Sequence, residues 1–152
     1  MNYIKLRKNN LCVENLSIQK IVKKYKTPFY CYSLSQIKNN FFYFKNTFKN
    51  IKPLVCFSVK SNANLTILKE LKKLGSGADV VSVGELLKAT KAGINNNKIV
   101  FSGIGKTEEE IRVAIRKKVL LINIESESEA NLIDKISRQL SRITCVGIRL
   151  NP

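Results

Sequence analysis

The chain has 152 residues, of which 44% are hydrophobic and 25% are charged, and this balance indicates a globular domain with a real core. No run approaches the roughly 18 apolar residues of a membrane helix, and no apolar signal core follows the basic N-terminus, so we expect a cytoplasmic protein with no membrane partner. The net charge of +16 would suit nucleic acid, but the lysines are scattered from Lys5 to Lys135 without a nucleic-acid-binding motif, so we expect no such partner.

The chain before residue 50 has an irregular pattern. It predicts, in order, a short helix at 16–25, an extended run at 29–32 and a helix at 36–48. In the last of these, Phe41, Phe44 and Phe48 recur at helical spacing. We expect this aromatic stripe to pack in the core.

From residue 54 onward, short apolar runs alternate with amphipathic helical segments. The predicted strands are 54–59, 78–82, 98–102, 119–124 and 143–150, and the predicted helices are 64–74, 84–92, 108–118 and 127–140. Strands separated by such helices form βα units and a parallel sheet. Four units and a fifth strand make about half of an eight-stranded barrel or, alternatively, a small open doubly wound sheet, and the pattern alone does not choose between them.

Helix-boundary signals support this division. Three predicted helices begin with the Ser/Thr-x-x-Glu spacing of a capping box: Ser82 with Glu85, Thr107 with Glu110, and Ser126 with Glu129. Gly75 and Gly93 stand where C-terminal caps are expected.

A lysine ends the first strand of this array. Alternation along the strand places on one face Leu54, Cys56, Ser58 and Lys60, and on the other Val55, Phe57 and Val59. The apolar face suits packing against helices and the more polar face suits a barrel interior. Lys60 would then project at the carboxyl end of the strand, where α/β barrels place their chemistry. A partly buried amine loses its proton more readily and can attack an aldehyde, whereas the alternative is a lysine that simply extends to solvent.

Histidine is absent from the sequence, and none of the four cysteines is in CxxC spacing. These facts exclude Ser-His and Cys-His nucleophiles within the chain, and we expect no metal site. A lysine nucleophile is not affected by this exclusion.

Six segments carry distinctive patterns. They are Thr-Pro-Phe-Tyr-Cys-Tyr at 27–32, Phe-Ser-Val-Lys-Ser-Asn-Ala-Asn at 57–64, Gly-Ser-Gly-Ala-Asp-Val-Val-Ser-Val-Gly-Glu-Leu at 75–86, Ile-Val-Phe-Ser-Gly-Ile-Gly-Lys-Thr at 99–107, Asn-Ile-Glu-Ser-Glu at 123–127 and Ile-Arg-Leu-Asn-Pro at 148–152. In this order and spacing they resemble the ornithine/diaminopimelate/arginine decarboxylase family, and within it the diaminopimelate decarboxylases. A lone Val-Lys-x-Asn is a weak signal, but the ordered set covers nearly the whole chain.

The resemblance implies an α/β fold, a partial (β/α)8 barrel of the alanine-racemase-like type with about half of the barrel present. It also implies pyridoxal 5′-phosphate (PLP) as cofactor, with Lys60 as the Schiff-base lysine. The implied reaction is decarboxylation of a small amino-acid substrate, meso-diaminopimelate, to L-lysine in a homodimer. A related ornithine, arginine or carboxynorspermidine decarboxylase and a non-enzymatic remnant are the alternatives.

Three more residues match family positions near the cofactor. The resemblance implies that Asp79, Glu85 and Arg149 bind it together with Lys60. Each has an ordinary alternative: Asp79 could solvate a strand end, Glu85 could cap a helix with Ser82, and Arg149 could be a strand-end charge.

The resemblance also divides the chain. Residues 1–35 lead into the barrel, with an extended strand that belongs with the family's β-domain, and residues 36–152 form the first half of the PLP-binding barrel. The family's cofactor-stacking histidine, glycine-rich phosphate loop and C-terminal β-domain match no segment here. We therefore expect a chain of these residues alone to be unstable or inactive.

Overall fold

The computed structural model describes residues 3–48 and 50–150. The chain forms two compact units, Met1–Ile51 and Lys52–Pro152. The family resemblance implies a division at residue 35, between two domains of the family. The two observed units are instead defined by their internal contacts, so the division at residue 35 stays a prediction.

The first unit combines a small antiparallel sheet with two helices. Its elements are β1 (Ile4–Arg7), β2 (Asn10–Val13), β3 (Leu16–Ser17), α1 (Ile18–Lys24) and α2 (Leu34–Thr47), with sheet order β1-β2-β3. The β1–β2 hairpin was not predicted. Its turn residues Lys8 and Asn9 both have positive φ, 46° and 59°, but the turn lacks the Asn-Gly or Asp-Gly signal that usually marks such a hairpin.

Two expectations for this region need correction, the start of the first helix and the aromatic core stripe. The helix predicted at 16–25 begins later, because Ser17 is its N-cap and its side chain accepts from the Lys20 amide. The 29–32 run is not helical and joins no strand ladder among the described residues, so its place in the family's β-domain stays a prediction. The prediction that the aromatic stripe packs in the core is wrong, because Phe41 is buried but Phe44 is 54% and Phe48 is 41% exposed. Aromatics occupy every position from 41 to 44 and so surround the helix, and one buried face cannot cover them all.

The second unit is a parallel α/β array. Its strands are β4 (Cys56–Ser58), β5 (Gly77–Val80), β6 (Ile99–Phe101), β7 (Leu121–Ile124) and β8 (Val146–Ile148), and its helices are α3 (Leu65–Lys73), α4 (Val83–Lys91), α5 (Glu108–Lys117) and α6 (Glu127–Gln139). Neighbouring strands pair in parallel, in the order β4-β5-β6-β7-β8. A doubly wound sheet reverses its strand order at a switch point, and this sequential order has no reversal. The predicted α/β half-barrel is therefore confirmed.

One face of this sheet forms the core with the helices. The fully buried residues of the strands include Ala78, Val80, Ile99, Phe101 and Ile122, and the fully buried Val59 directly follows β4. They pack with helix residues such as Leu68, Leu86, Ile111 and Ile136. Each such Leu, Ile or Val contributes about 1.5–3 kcal/mol of burial free energy. The intervening side chains face away from the helices, as the strand alternation predicts.

The predicted helix boundaries agree with the structure to within one or two residues, but only one capping box is complete. Thr107 and Glu110 exchange both hydrogen bonds at the start of α5. Ser82 and Ser126 accept from the amides of Glu85 and Glu129, while those two carboxylates bond one residue upstream of the caps. Gly75 and Gly93 follow α3 and α4 with φ of 88° and 87°, as C-terminal caps require.

No helix within residues 3–48 and 50–150 is long and apolar enough to span a bilayer. Over the same residues, no group of three or more His, Cys, Asp or Glu side chains is arranged to hold a metal ion.

Candidate functional site at the carboxyl edge of the parallel sheet

Lys60 lies just beyond the carboxyl end of β4. The strand ends at Ser58, and Val59–Ser61 form a single 3-10 turn instead of continuing the strand as predicted. The turn is anchored by the fully buried Val59 and by a hydrogen bond of 2.7 Å from Ser61 Oγ to the carbonyl oxygen of Ser58. Lys60 is thus placed at the sheet edge that was predicted to carry chemistry.

The Lys60 side chain reaches solvent. The residue is exposed, and within the described part of the chain its amine has no hydrogen-bond or ion-pair partner. The prediction that the Lys60 amine is partly buried is therefore wrong for the part of the chain that the structure describes. The physical reason is that the turn carries Lys60 past the end of the strand, beyond the helix-covered core.

A row of polar side chains crosses the sheet next to Lys60. Asp79 of β5 stands in register with Ser58 of β4. Its Oδ1 accepts from Ser102 Oγ at 2.5 Å and its Oδ2 from Ser58 Oγ at 3.4 Å. Asn123 Nδ2 of β7 donates to Ser102 Oγ at 3.0 Å. The hydroxyls of Ser58 and Ser102 thus hold the Asp79 carboxylate from the two sides of β5. Strand β5 pairs with β4, and Lys60 lies in the turn that follows β4.

Strand alternation explains why these residues meet. Asp79 lies between the fully buried Ala78 and Val80, so its side chain points away from the helices. Ser102 directly follows the buried Phe101. Asp79 was predicted from the sequence, whereas Ser102 and Asn123 were not, although each is a polar residue directly after a buried apolar one near a strand end.

The same face is tightly packed at its base. A Cβ added to Gly77 would collide with the Lys98 carbonyl oxygen and lie 2.8 Å from Cys56 Sγ, and one added to Gly147 would lie 2.5 Å from Asn123 Oδ1. Burial, and then the Asp79 charge, raises the pKa of the Cys56 thiol. Asp79 therefore acts electrostatically on this face of the sheet.

Glu85 lies at the start of α4, outside the polar row. Its Oε2 accepts from the Val81 amide at 3.0 Å, and its own amide donates to Ser82 Oγ at 3.3 Å. These contacts hold the turn between β5 and α4. A direct role at a cofactor stays a prediction.

Arg149 follows β8, three strands from Asp79. Its Nη1 lies 3.3 Å from Glu125 Oε1, and its side chain is 55% exposed while that of Glu125 is 7% exposed. Lys60, Asp79 and Arg149 therefore lie at one edge of the sheet, with Glu85 at the start of α4, but within the described residues no hydrogen bond or ion pair joins the Arg149 side chain to the Asp79 row. Its cofactor role also stays a prediction.

Lys106 is a buried cation near this edge that was not among the residues predicted from the sequence. Its Nζ donates to the carbonyl oxygens of Gly103 at 2.6 Å and Asn123 at 2.7 Å, and to Glu129 Oε1 at 3.0 Å. Its position directly before a helix start was the available signal, but a lysine there is ordinarily solvated.

The side chains at this edge suit the chemistry of PLP. An accessible primary amine can condense with an aldehyde, a fixed carboxylate can stabilise positive charge on an adjacent nitrogen, and a half-exposed guanidinium can bind an anionic group. Lys60, Asp79 and Arg149 place an amine, a carboxylate and a guanidinium at one edge of the sheet.

Comparison with known proteins decides the family. Residues 34–152 match the profile described as pyridoxal-dependent decarboxylase, pyridoxal binding domain. The chain belongs to the pyridoxal-dependent decarboxylase family. The predicted family, its lyase class and its cofactor are thereby confirmed at the level of the family.

Relatives within the family carry a more specific name. The chain is 46% identical to diaminopimelate decarboxylase of Helicobacter pylori strain J99 over 134 residues, which is 88% of this chain and 33% of that protein. It superimposes with a TM-score of 0.87 at 43% identity on the H. pylori enzyme complexed with L-lysine, covering 90% of this chain and 34% of that one. For the M. jannaschii enzyme in co-complex with L-lysine, the TM-score is 0.95, the identity 34% and the coverage 99% and 36%. The chain thus spans about a third of the length of these relatives.

Proposed function

We propose that this chain is the lysine-bearing part of a PLP-dependent decarboxylase that converts meso-diaminopimelate to L-lysine. The observation that carries the proposal is the exposed Lys60, two residues after Ser58, whose hydroxyl bonds the Asp79 carboxylate at the carboxyl edge of the sheet. The substrate is inferred from relatives that bear the name diaminopimelate decarboxylase.

Each side chain has a distinct proposed role. PLP, when bound, accepts the electrons left on the substrate as carbon dioxide departs. Lys60 holds the cofactor through Nζ and moves a proton at that atom. Asp79 stabilises positive charge near the amine, and Arg149 binds an anionic group at the same edge. Glu85 supports this arrangement by holding the β5–α4 turn.

The wider assignments are part of the same proposal. We infer a cytoplasmic homodimer that acts on a small amino acid and binds no nucleic acid. Residues 1–35 lead into the barrel and residues 36–152 form its first half. Decarboxylation is proposed for a protein of the relatives' full length, of which these residues span about a third.

Reductive trapping tests the central role of Lys60. The chain is incubated with PLP, reduced with borohydride and mapped by peptide mass spectrometry. We expect the pyridoxyl group on Lys60, and its loss in Lys60→Arg. Lys69→Arg is the matched control, because Lys69 is an exposed lysine on α3 of the same unit. Labelling spread evenly over the exposed lysines would contradict the proposal.

A chimera tests the substrate. These residues replace the matching third of the H. pylori enzyme, and carbon dioxide release is measured from meso-diaminopimelate, ornithine and arginine. We expect release from meso-diaminopimelate, abolished by Lys60→Ala. A preference for ornithine or arginine would favour a related decarboxylase instead.

A further inference from the structure

The Lys106 amine is almost completely removed from solvent. Its side chain is 1% exposed and that of its ion-pair partner Glu129 is 8% exposed. All three of its hydrogen bonds go to acceptors within the protein: two backbone carbonyl oxygens and one carboxylate oxygen. An ammonium has three donors, so this amine is fully satisfied, as burial of a charge requires.

The two carbonyl groups that Lys106 binds belong to the backbone next to the Asp79 row. Gly103 directly follows Ser102, and Asn123 carries the side chain that donates to Ser102 Oγ. One amine therefore joins the end of β6 to the end of β7 at the point where Ser102 and Asn123 meet. The Ser102 hydroxyl makes the shorter of the two hydrogen bonds to Asp79.

We propose that Lys106 is a positioning residue for the Asp79 carboxylate and acts through the Asn123 and Ser102 side chains. The hydrogen bonds that connect Lys106 to Asp79 are present in the chain without ligand. Their effect on a bound cofactor rests on the proposed function. A buried ion pair is often no more stabilising than apolar residues of the same volume, so simple packing does not require a lysine here. The observed geometry explains why a lysine is found here, because one amine can bind backbone carbonyl oxygens near the ends of both β6 and β7.

The test variant is Lys106→Met with Glu129→Gln, which removes both charges together and leaves no unpaired buried ion. The glutamine side chain in that variant keeps an oxygen for the Glu125 amide, which Glu129 binds at 2.9 Å. The matched control is Arg138→Met with Asp134→Asn, an exposed ion pair on α6. Lys106→Arg is the second variant, since it keeps a cation beside Glu129 but replaces the compact amine with a planar fork.

The first measurement uses the full 152-residue chain without cofactor. Exchange of the Asn123 side-chain amide hydrogens is followed by NMR. We expect exchange about tenfold faster in the double variant and in Ser102→Ala, because a hydrogen bond is worth about that factor. Lys106→Arg should be intermediate and the α6 control unchanged. Exchange in both Lys106 variants equal to that of the unmodified chain overturns the proposal.

The second measurement adds PLP and follows the pH midpoint of its long-wavelength absorption. We expect the double variant to lower that midpoint by about half a pH unit, in the direction of Asp79→Asn, since a displaced carboxylate stabilises the protonated nitrogen less. If Lys106 is merely structural, the double variant should have a lower melting temperature and an unchanged pH midpoint. That result would overturn the inference, provided that Asp79→Asn does shift the midpoint. No PLP binding, or no shift in Asp79→Asn, contradicts the proposed function, and the exchange measurement then decides the link by itself.

Discussion

Glu110 of α5 accepts a hydrogen bond of 3.1 Å from the backbone amide of Val83, the first residue of α4. Its other oxygen accepts from the Thr107 amide at 3.2 Å and completes the capping box of its own helix. One carboxylate therefore joins two helix starts along the edge of the sheet that carries Lys60. The Val83 hydrogen bond is the main reason why the pKa of Glu110 lies below its ordinary value of 4.5.

This contact predicts a loss of stability in acid. Because the folded pKa of Glu110 is lowered, its stabilisation is fully present above about pH 4.5 and disappears as the pH falls through the folded value. Glu110→Gln should lower the free energy of unfolding by about 1 kcal/mol at pH 7 and by less at pH 3. Urea unfolding at both pH values measures this. Glu109→Gln, an exposed neighbour in the same turn, is the control, and an equal loss in both variants would argue against the cap.

Cys56 reports on the charge of Asp79. Because burial and then the Asp79 carboxylate raise the pKa of the Cys56 thiol, we expect iodoacetamide to alkylate Cys56 more slowly at pH 8 than the exposed Cys31 and Cys145. Asp79→Asn should speed the alkylation of Cys56 by roughly two- to fivefold. Mass-spectrometric rates for the individual cysteines test this. An equal acceleration at the buried Cys12 would show a general loosening of the chain and not an electrostatic effect.

Lys118 ends α5 in a left-handed conformation. Its φ and ψ are 55° and 53°, which a residue with a Cβ adopts at a cost of about 1–2 kcal/mol. Lys118→Gly should therefore raise the free energy of unfolding by about 1 kcal/mol. Lys117→Gly, one residue earlier in the helix, should lower it by about the same amount. Thermal unfolding compares the two variants, and a loss of stability in both would refute the strain argument.

Two glycines of the second unit should respond to alanine in opposite directions. Gly77→Ala places a methyl group against the Lys98 carbonyl oxygen and Cys56 Sγ, and should cost about 1–3 kcal/mol of unfolding free energy. Gly84 lies in α4, where the nearest atom to an added Cβ is 3.8 Å away, so Gly84→Ala should stabilise by about 0.5–1 kcal/mol. Chemical denaturation of both variants decides this, and a neutral Gly77→Ala would mean that the strand can shift at that point.

The features that the sequence predicted correctly are local ones. Alternation of apolar residues located the βα units, and caps such as Thr107 and Gly75 located their ends, because helix and strand periodicity depends on neighbours a few residues apart. Lys60 was found in the same way, at the end of an apolar run. The β1–β2 hairpin was missed because its turn residues, Lys8 and Asn9, adopt positive φ without the usual glycine.

The sequence by itself determined the array of βα units, the position of Lys60 at its edge and the family to which the chain belongs. Only the tertiary structure decided the sequential strand order, the hydrogen bonds of Asp79 to Ser58 and Ser102, and the burial of Lys106 against Asn123 and Glu129. These contacts join residues that are far apart along the chain. They depend on which strands are neighbours and in what register, and no local periodicity records that information.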